Sequence, residues 1–239
     1  MSGHSKWATI KRKKGMIDAE RSKIFQKLAK EIYVAAKAGD KELENNPGLR
    51  MVVDKAKASN MPKDKIQAAI DKAHSLTDAV NYENVRYEGY GPNGVAIMID
   101  TLTDNRNRTA GDVRSTLTKR GGNLGTDGSV SYLFERKGVI VLPNTYDEEK
   151  MMNLAIENDA IDFVTCDDNY VIYTTCEDFI KMNNALNEAG IDDIIMNEIS
   201  YVPITTVSVD EDKQEKIYNL IEALEDLDDV QNVYHNMEE

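Results

Sequence analysis

The chain has 239 residues, 41% of them apolar and 30% charged, with a net charge of −13, an ordinary composition with room for two or three domains. No apolar run approaches the roughly 18 residues that span a bilayer, and the basic N-terminus lacks the apolar segment of a secretory signal, so a cytoplasmic protein with no membrane partner is expected. Cys166 and Cys176 are the only cysteines; their spacing fits neither a disulfide framework nor a zinc site, and both are read as free thiols.

The net charge conceals a gradient. Residues 1–80 carry 17 Lys and Arg against 10 Asp and Glu, residues 81–137 carry 8 against 7, and residues 138–239 carry 4 against 25. A chain polarised in this way presents its basic end to a polyanion and repels it elsewhere, which orients docking. An acidic domain that solubilises a basic helix gives the same gradient, and both readings stay open on charge alone.

The elements are legible in chain order. Met1 to Gly15 carries Lys6, Lys11, Arg12, Lys13 and Lys14 around Trp7, the one tryptophan; cations interleaved with a large ring suit a nucleic-acid strand, phosphates meeting ammonium groups while a base stacks. The alternative is a solvated basic arm whose Trp7 packs on the helices. From Asp18 the period becomes helical, with Ile24, Phe25, Leu28, Ile32 and Ala36 on one face and Arg21, Lys23, Lys27 and Lys30 around the rest. Asn46-Pro47 opens a second helix and Pro62 a third, their Met, Ile and Val positions being read as core.

After Asn81 the period changes to two. VRYEGYG and GVAIMIDTL read as strands about a Pro-Asn-Gly turn, and SVSYLF reads as a third strand. From Gly138 the order is strand, helix 147–158, strand IDFVTC, strand YVIYTT, helix 177–189 and strand IMNEISYV, the βαββαβ of a ferredoxin-like domain. The tail offers a strand TTVSV, a helix and a strand VQNVYHN, too little to bury a core alone. The expected fold is therefore multidomain α+β: a basic three-helix domain (1–80), a discontinuous α+β domain (81–135 with 204–239), and an inserted ferredoxin-like domain (136–203).

Between the first strands and that domain lies TDNRNRTAGDVRSTLTKRGGNLGTDGS, residues 103–129. Thr109 and Asp112 fit a capping box and predict a helix over 110–120, stopped by Gly121. Arg106 and Arg108 then stand just before a helix N-terminus, where exposed N–H groups favour an anion, with Arg114 on the helix itself. A capped surface helix with a glycine turn is the plainer alternative. The acidic clusters at 192–193, 210–212 and 225–229 lack EF-hand spacing and a histidine partner, and read as solvated helix ends. No hydrolase, Walker or Rossmann signature is present, so neither an enzyme, a cofactor nor a small-molecule substrate is expected.

The blocks GHSKWATIK (3–11), KIFQKL (23–28), YEGYGPNG (87–94), DNRNRT (104–109), GGNLGTDGSVSYLF (121–134) and DDVQNVYHN (228–236) occur in this order, and over essentially its whole length the chain resembles the YebC family. The resemblance implies a helical N-terminal domain followed by two α+β domains, no enzyme activity, and one of two roles. Members are described as DNA-binding regulators of transcription, and others as ribosome-associated factors that relieve stalling on proline-rich sequences. The matching positions are Lys6, Trp7, Lys11, Lys14, Arg21, Lys23, Arg106 and Arg108. The chain departs from the family pattern at Gly15, Met16 and Ile17 and over residues 74–82. The resulting expectation is a monomeric regulator of gene expression whose partner is nucleic acid, DNA or ribosomal RNA. Its candidate contacts are Lys6, Trp7, Lys11, Arg12, Lys13, Lys14, Arg21, Lys23, Lys27, Arg106, Arg108 and Arg114, and no metal is expected.

Overall fold

The computed structural model describes residues 18–75 and 80–238, with side chains from Arg21 onward; the arm with Lys6, Trp7, Lys11, Arg12, Lys13 and Lys14 lies outside the described residues. The protein is α+β, with seven α-helices and two four-stranded antiparallel sheets among those residues. They separate into two compact units, one built from the described chain up to Val130 with Val209–His235, the other from Ser131–Ser208 with Asn236 onward.

The first unit begins with α1 (Asp18–Lys37), α2 (Pro47–Ala58) and α3 (Lys63–Ala73). Phe25, Leu28, Ile32 and Ala36 recur every three or four residues, so α1 buries one stripe against Leu49, Val53, Ile66 and Ile70. Two residues expected in this core stay outside it: Ile24 is 48% and Met51 70% exposed. Ile24 precedes Phe25, and one residue is a rotation of about 100° round the helix, which carries it off the stripe. Asn46 ties the first two helices together, accepting from Leu49 N at 3.0 Å while its amide donates to the carbonyls of Ala35 and Asp40.

The sheet of this unit runs β3-β1-β2-β8, with β1 (Glu83–Tyr90), β2 (Ala96–Thr103), β3 (Asn123–Leu124) and β8 (Val230–His235). β1 and β2 pair from Glu83↔Thr103 to Tyr90↔Ala96, and Asn93 (φ 61°) and Gly94 (φ 75°) make the turn. β8 lies on the other side of β2, with a register shift between Asp100 and Thr101. β2 is buried at every position except Asp100, as a strand covered on both faces should be. The helices α4 (Arg106–Lys119) and α7 (Glu211–Glu225) touch each other; they bury Val113 and Leu117, and Ile217, Leu220, Ile221 and Leu224, respectively.

The second unit contains β4 (Phe134–Pro143), α5 (Glu148–Glu157), β5 (Asp162–Thr165), β6 (Asn169–Thr174), α6 (Phe179–Glu188) and β7 (Met196–Pro203). Its spatial order, β5-β6-β4-β7, is that of a ferredoxin-like βαββαβ. Ile140, Leu142 and Ile172 pack against Met151, Ala155, Met182 and Leu186. Gly138 is demanded by proximity, since a Cβ there would stand 2.2 Å from Thr174 Oγ1 and 2.5 Å from Phe179 Cδ2. Cys166 and Cys176 are free thiols.

Two strand expectations are corrected. SVSYLF is not a strand of the first sheet: Ser131–Leu133 is a 3-10 turn and Phe134 already begins β4. The third strand of that sheet comes instead from Asn123 and Leu124, which pair with Tyr90 and Gly89. The segment TTVSV forms only a single parallel bridge, Val207↔Met237.

Candidate nucleic-acid interface

The arginine helix starts earlier than its capping-box pattern suggests. Asn105, not Thr109, is the N-cap, its side-chain oxygen accepting from Arg108 N at 3.1 Å. Arg106 and Arg108 therefore occupy the first turn of α4 rather than preceding it. Two cations in a first turn oppose the helix dipole, and for Arg108 the structure supplies carboxylates: its guanidinium donates to Asp104 at 2.7 Å and to Asp229 at 2.6 Å.

Asp229 precedes β8 and its residue is only 6% exposed. Oδ2 takes the Arg108 guanidinium and lies 2.8 Å from the Thr109 hydroxyl and 3.2 Å from that of Thr103. Oδ1 takes Lys30 Nζ of α1 at 2.8 Å, and the Asp229 carbonyl accepts from Leu102 N. Burial alone would raise this carboxyl's pKa, but the hydrogen bonds from Arg108, Lys30 and Thr109 outweigh it and hold it at about 2. One carboxylate thus joins α1, the end of β2, the first turn of α4 and the start of β8. Thr109 is buried because of this role, which explains why its apparent capping pattern misplaces the helix start.

The glycine loop that follows α4 is accounted for from within. Gly121 (φ 80°) ends the helix and Gly128 (φ 81°) turns the chain back. A Cβ on Gly122 would stand 2.6 Å from the Tyr90 carbonyl, so the loop lies against the end of β1. The buried carboxylate of Glu88 accepts from Gly128 N at 3.0 Å and Val130 N at 2.7 Å, and its backbone carbonyl accepts from Gly125 N. Loop amides of the kind that cradle phosphate elsewhere are here turned onto a protein carboxylate. Sequence reading passed over Glu88, a lone acid in a glycine- and tyrosine-rich run, and took Asp229 with its acidic neighbours as a solvated helix end, a reading that its burial corrects.

The remaining candidates fall into two groups. On α1, Lys23 pairs with Asp226 at 2.9 Å and Lys27 donates to the Glu225 carbonyl at 2.6 Å, while Arg21 is exposed near the helix start. On α4, Arg106 and Arg114 are exposed; the Arg106 carbonyl accepts the Tyr87 hydroxyl, and neither guanidinium has an ion-pair partner among the described residues. Two clefts lie in this unit. One, about 520 Å³, is lined by Lys23, Lys27, Lys30, Lys65 and Lys72 with aromatic side chains. The other, about 580 Å³, holds Arg108 among Asp104, Asp112, Asp226, Asp228 and Asp229. A polyanion is favoured by the first and opposed by the second. No group of acidic, histidine or cysteine side chains among the described residues is arranged to hold a metal, and no helix among them is long and apolar enough to cross a membrane.

An α+β chain with a basic helical start, a ferredoxin-like domain and this carboxylate-centred helix junction matches two family models in tandem: the TACO1/YebC N-terminal domain over residues 5–76 and the TACO1/YebC second and third domain over residues 82–237. The chain belongs to the TACO1/YebC family. It is 50% identical over 242 residues to a probable transcriptional regulatory protein of Geobacillus kaustophilus, covering 100% of this chain and 98% of that protein. It is 51% identical over 237 residues to one of Coxiella burnetii, covering 99% and 97%. The crystal structure of a conserved hypothetical protein from Aquifex aeolicus is similar with a TM-score of 0.84 and 45% identity, over 98% of this chain and 97% of that one.

Proposed function

We propose that this protein is a cytoplasmic, non-enzymatic regulator of gene expression that binds DNA through its backbone phosphates. The observation that carries the reading is the segregation of charge. The 17 basic residues of 1–80 stand against a C-terminal region with 4 basic and 25 acidic residues. That relatives about 50% identical are named probable transcriptional regulatory proteins supports the regulatory level. Lys6, Trp7, Lys11, Arg12, Lys13 and Lys14 supply the first contact, and Arg21, Lys23, Lys27, Arg106 and Arg114 extend it. Arg108 contributes by fixing the start of α4 against Asp229. No helix-turn-helix is evident among the described residues, and the contacts position the protein on the duplex without reading base edges.

The test is charge reversal of Lys11, Arg12, Lys13 and Lys14 to Glu, followed by a mobility shift on duplex DNA. Loss of the shifted complex with an unchanged circular-dichroism spectrum is the expected result. Undiminished binding refutes the arm as the contact.

A further inference from the structure

The lysine-lined cleft of the first unit is formed by α1, α3, Tyr82 and the segment after α7, and of its lining Lys65, Lys72 and Tyr82 take no part in the contacts proposed above. Five lysines line it against two aspartates, Asp226 and Asp228. Three of the ammonium groups sit over rings: Lys65 Nζ is 5.3 Å from the Phe25 centroid, Lys72 Nζ 5.8 Å from that of Tyr33, and Lys30 Nζ 5.9 Å from that of Tyr82. Tyr33 and Tyr82 meet edge to face at 5.5 Å. Tyr33 is 3% exposed and Phe25 9%, whereas Tyr82 is only partly buried and keeps ring surface available. At about 520 Å³ the cleft falls within the size range of small-ligand sites.

We infer that this cleft takes one unstacked nucleotide, its base against Tyr82 and its phosphate among the α3 lysines. A ligand that fits must carry both negative charge and a flat ring, because cations over aromatic rings offer both partners within one cavity. Lys65 has no ion-pair partner among the described residues, so on the α3 side its charge is not offset. On the side of the segment after α7, the Asp226 and Asp228 carboxylates repel phosphate and accept from exocyclic amino groups, as acidic side chains do from cytosine. That polarity sets the direction of the ligand. The inference rests on the nucleic-acid reading above for its source of nucleotides: a single-stranded stretch of the polymer, or a free nucleotide of the same chemistry.

The test uses full-length protein with fluorescein-labelled single-stranded decanucleotides of DNA and RNA, the matching duplex, and adenosine 5′-monophosphate as probes. The variants are Tyr82→Leu, which removes the ring without changing charge, and Lys65→Glu with Lys72→Glu, both on exposed positions that the core does not use. Tyr82→Leu is expected to weaken single-strand binding about ten-fold and to leave duplex affinity within about two-fold; the lysine pair is expected to weaken single-strand binding further. Binding of adenosine monophosphate that is lost in both variants identifies the free nucleotide as a source, whereas variant-sensitive binding of the oligonucleotides alone identifies the polymer. Single-strand and nucleotide affinities unchanged in both variants overturn the cleft, even where duplex binding persists. Cleft-dependent binding of the nucleotide with no binding of either polymer overturns the DNA reading and leaves the cleft standing. Failure of every probe to bind overturns both.

Discussion

The Arg108 guanidinium lies 2.6 Å from the carboxylate of Asp229, 121 residues further along the chain, and that pair converts an apparent phosphate-binding arginine into part of a structural joint. Asp229 is deeply buried and Arg108 half exposed, so the two ends of the bond differ in worth. Removing the carboxylate strips Arg108, Lys30, Thr103 and Thr109 of a shared acceptor; removing the arginine leaves Asp229 with Lys30 and two hydroxyls. Asp229→Ala is therefore expected to destabilise the protein by about 3 kcal/mol and Arg108→Ala by about 1 kcal/mol, read from urea denaturation midpoints. Equal losses would deny the asymmetry.

Acid should weaken the fold in two stages. His235 is fully buried, and burial lowers its pKa to about 4 from an ordinary 6.5. Between those values the unfolded chain binds a proton that the folded one refuses, so stability is full above about pH 6.5 and falls as pH drops towards 4, by about 3 kcal/mol in all. Asp229, held at about 2 against 3.8, adds a second loss below about pH 4. A His235→Leu variant should flatten the first stage and keep the second, measured as melting temperature against pH.

Gly111 stands in the exposed middle of α4, and a Cβ added there would meet nothing within 4 Å. Gly111→Ala should stabilise the first unit by roughly 0.5–1 kcal/mol, because alanine restricts the unfolded chain and favours the helix. Gly138→Ala should do the opposite in the second unit, costing about 2–3 kcal/mol through collision with Thr174 and Phe179. Thermal unfolding of the two variants checks both signs.

If about six phosphates are neutralised, log K for duplex DNA should fall against log salt with a slope of roughly −5. Arg114→Ala should make that slope shallower by about one, whereas Lys181→Ala, whose cation pairs with Asp159 in the ferredoxin-like unit, should leave it unchanged.

The fold was legible wherever one period dominates. The 3.6-residue stripe of α1 and the βαββαβ alternation after Gly138 each point to a single arrangement, and the sheet order bears out the ferredoxin-like reading. Errors arose where a local pattern had a distant explanation. Thr109 looks like a cap because its real partner, Asp229, is 120 positions away. The glycine loop looks like an anion cradle because nothing in its own sequence shows that Glu88 takes two of its amides. Lys23 and Lys27 of α1 read as candidate contacts, whereas Lys65 and Lys72 of α3 carry no signal of their own, because only the packing of Tyr82 and the segment after α7 beside them makes a cleft. Buried acids and aromatic residues at element ends were the missed signals, since their value depends on what the chain returns to meet them.

Crosslinking the protein in cells and sequencing bound DNA and bound RNA together decides whether its partner is DNA. A DNA-binding regulator recovers promoter fragments above background, with no comparable enrichment of any one RNA. Recovery of ribosomal or transfer RNA without promoter enrichment would contradict the account and move the basic arm and helices to a ribosomal partner.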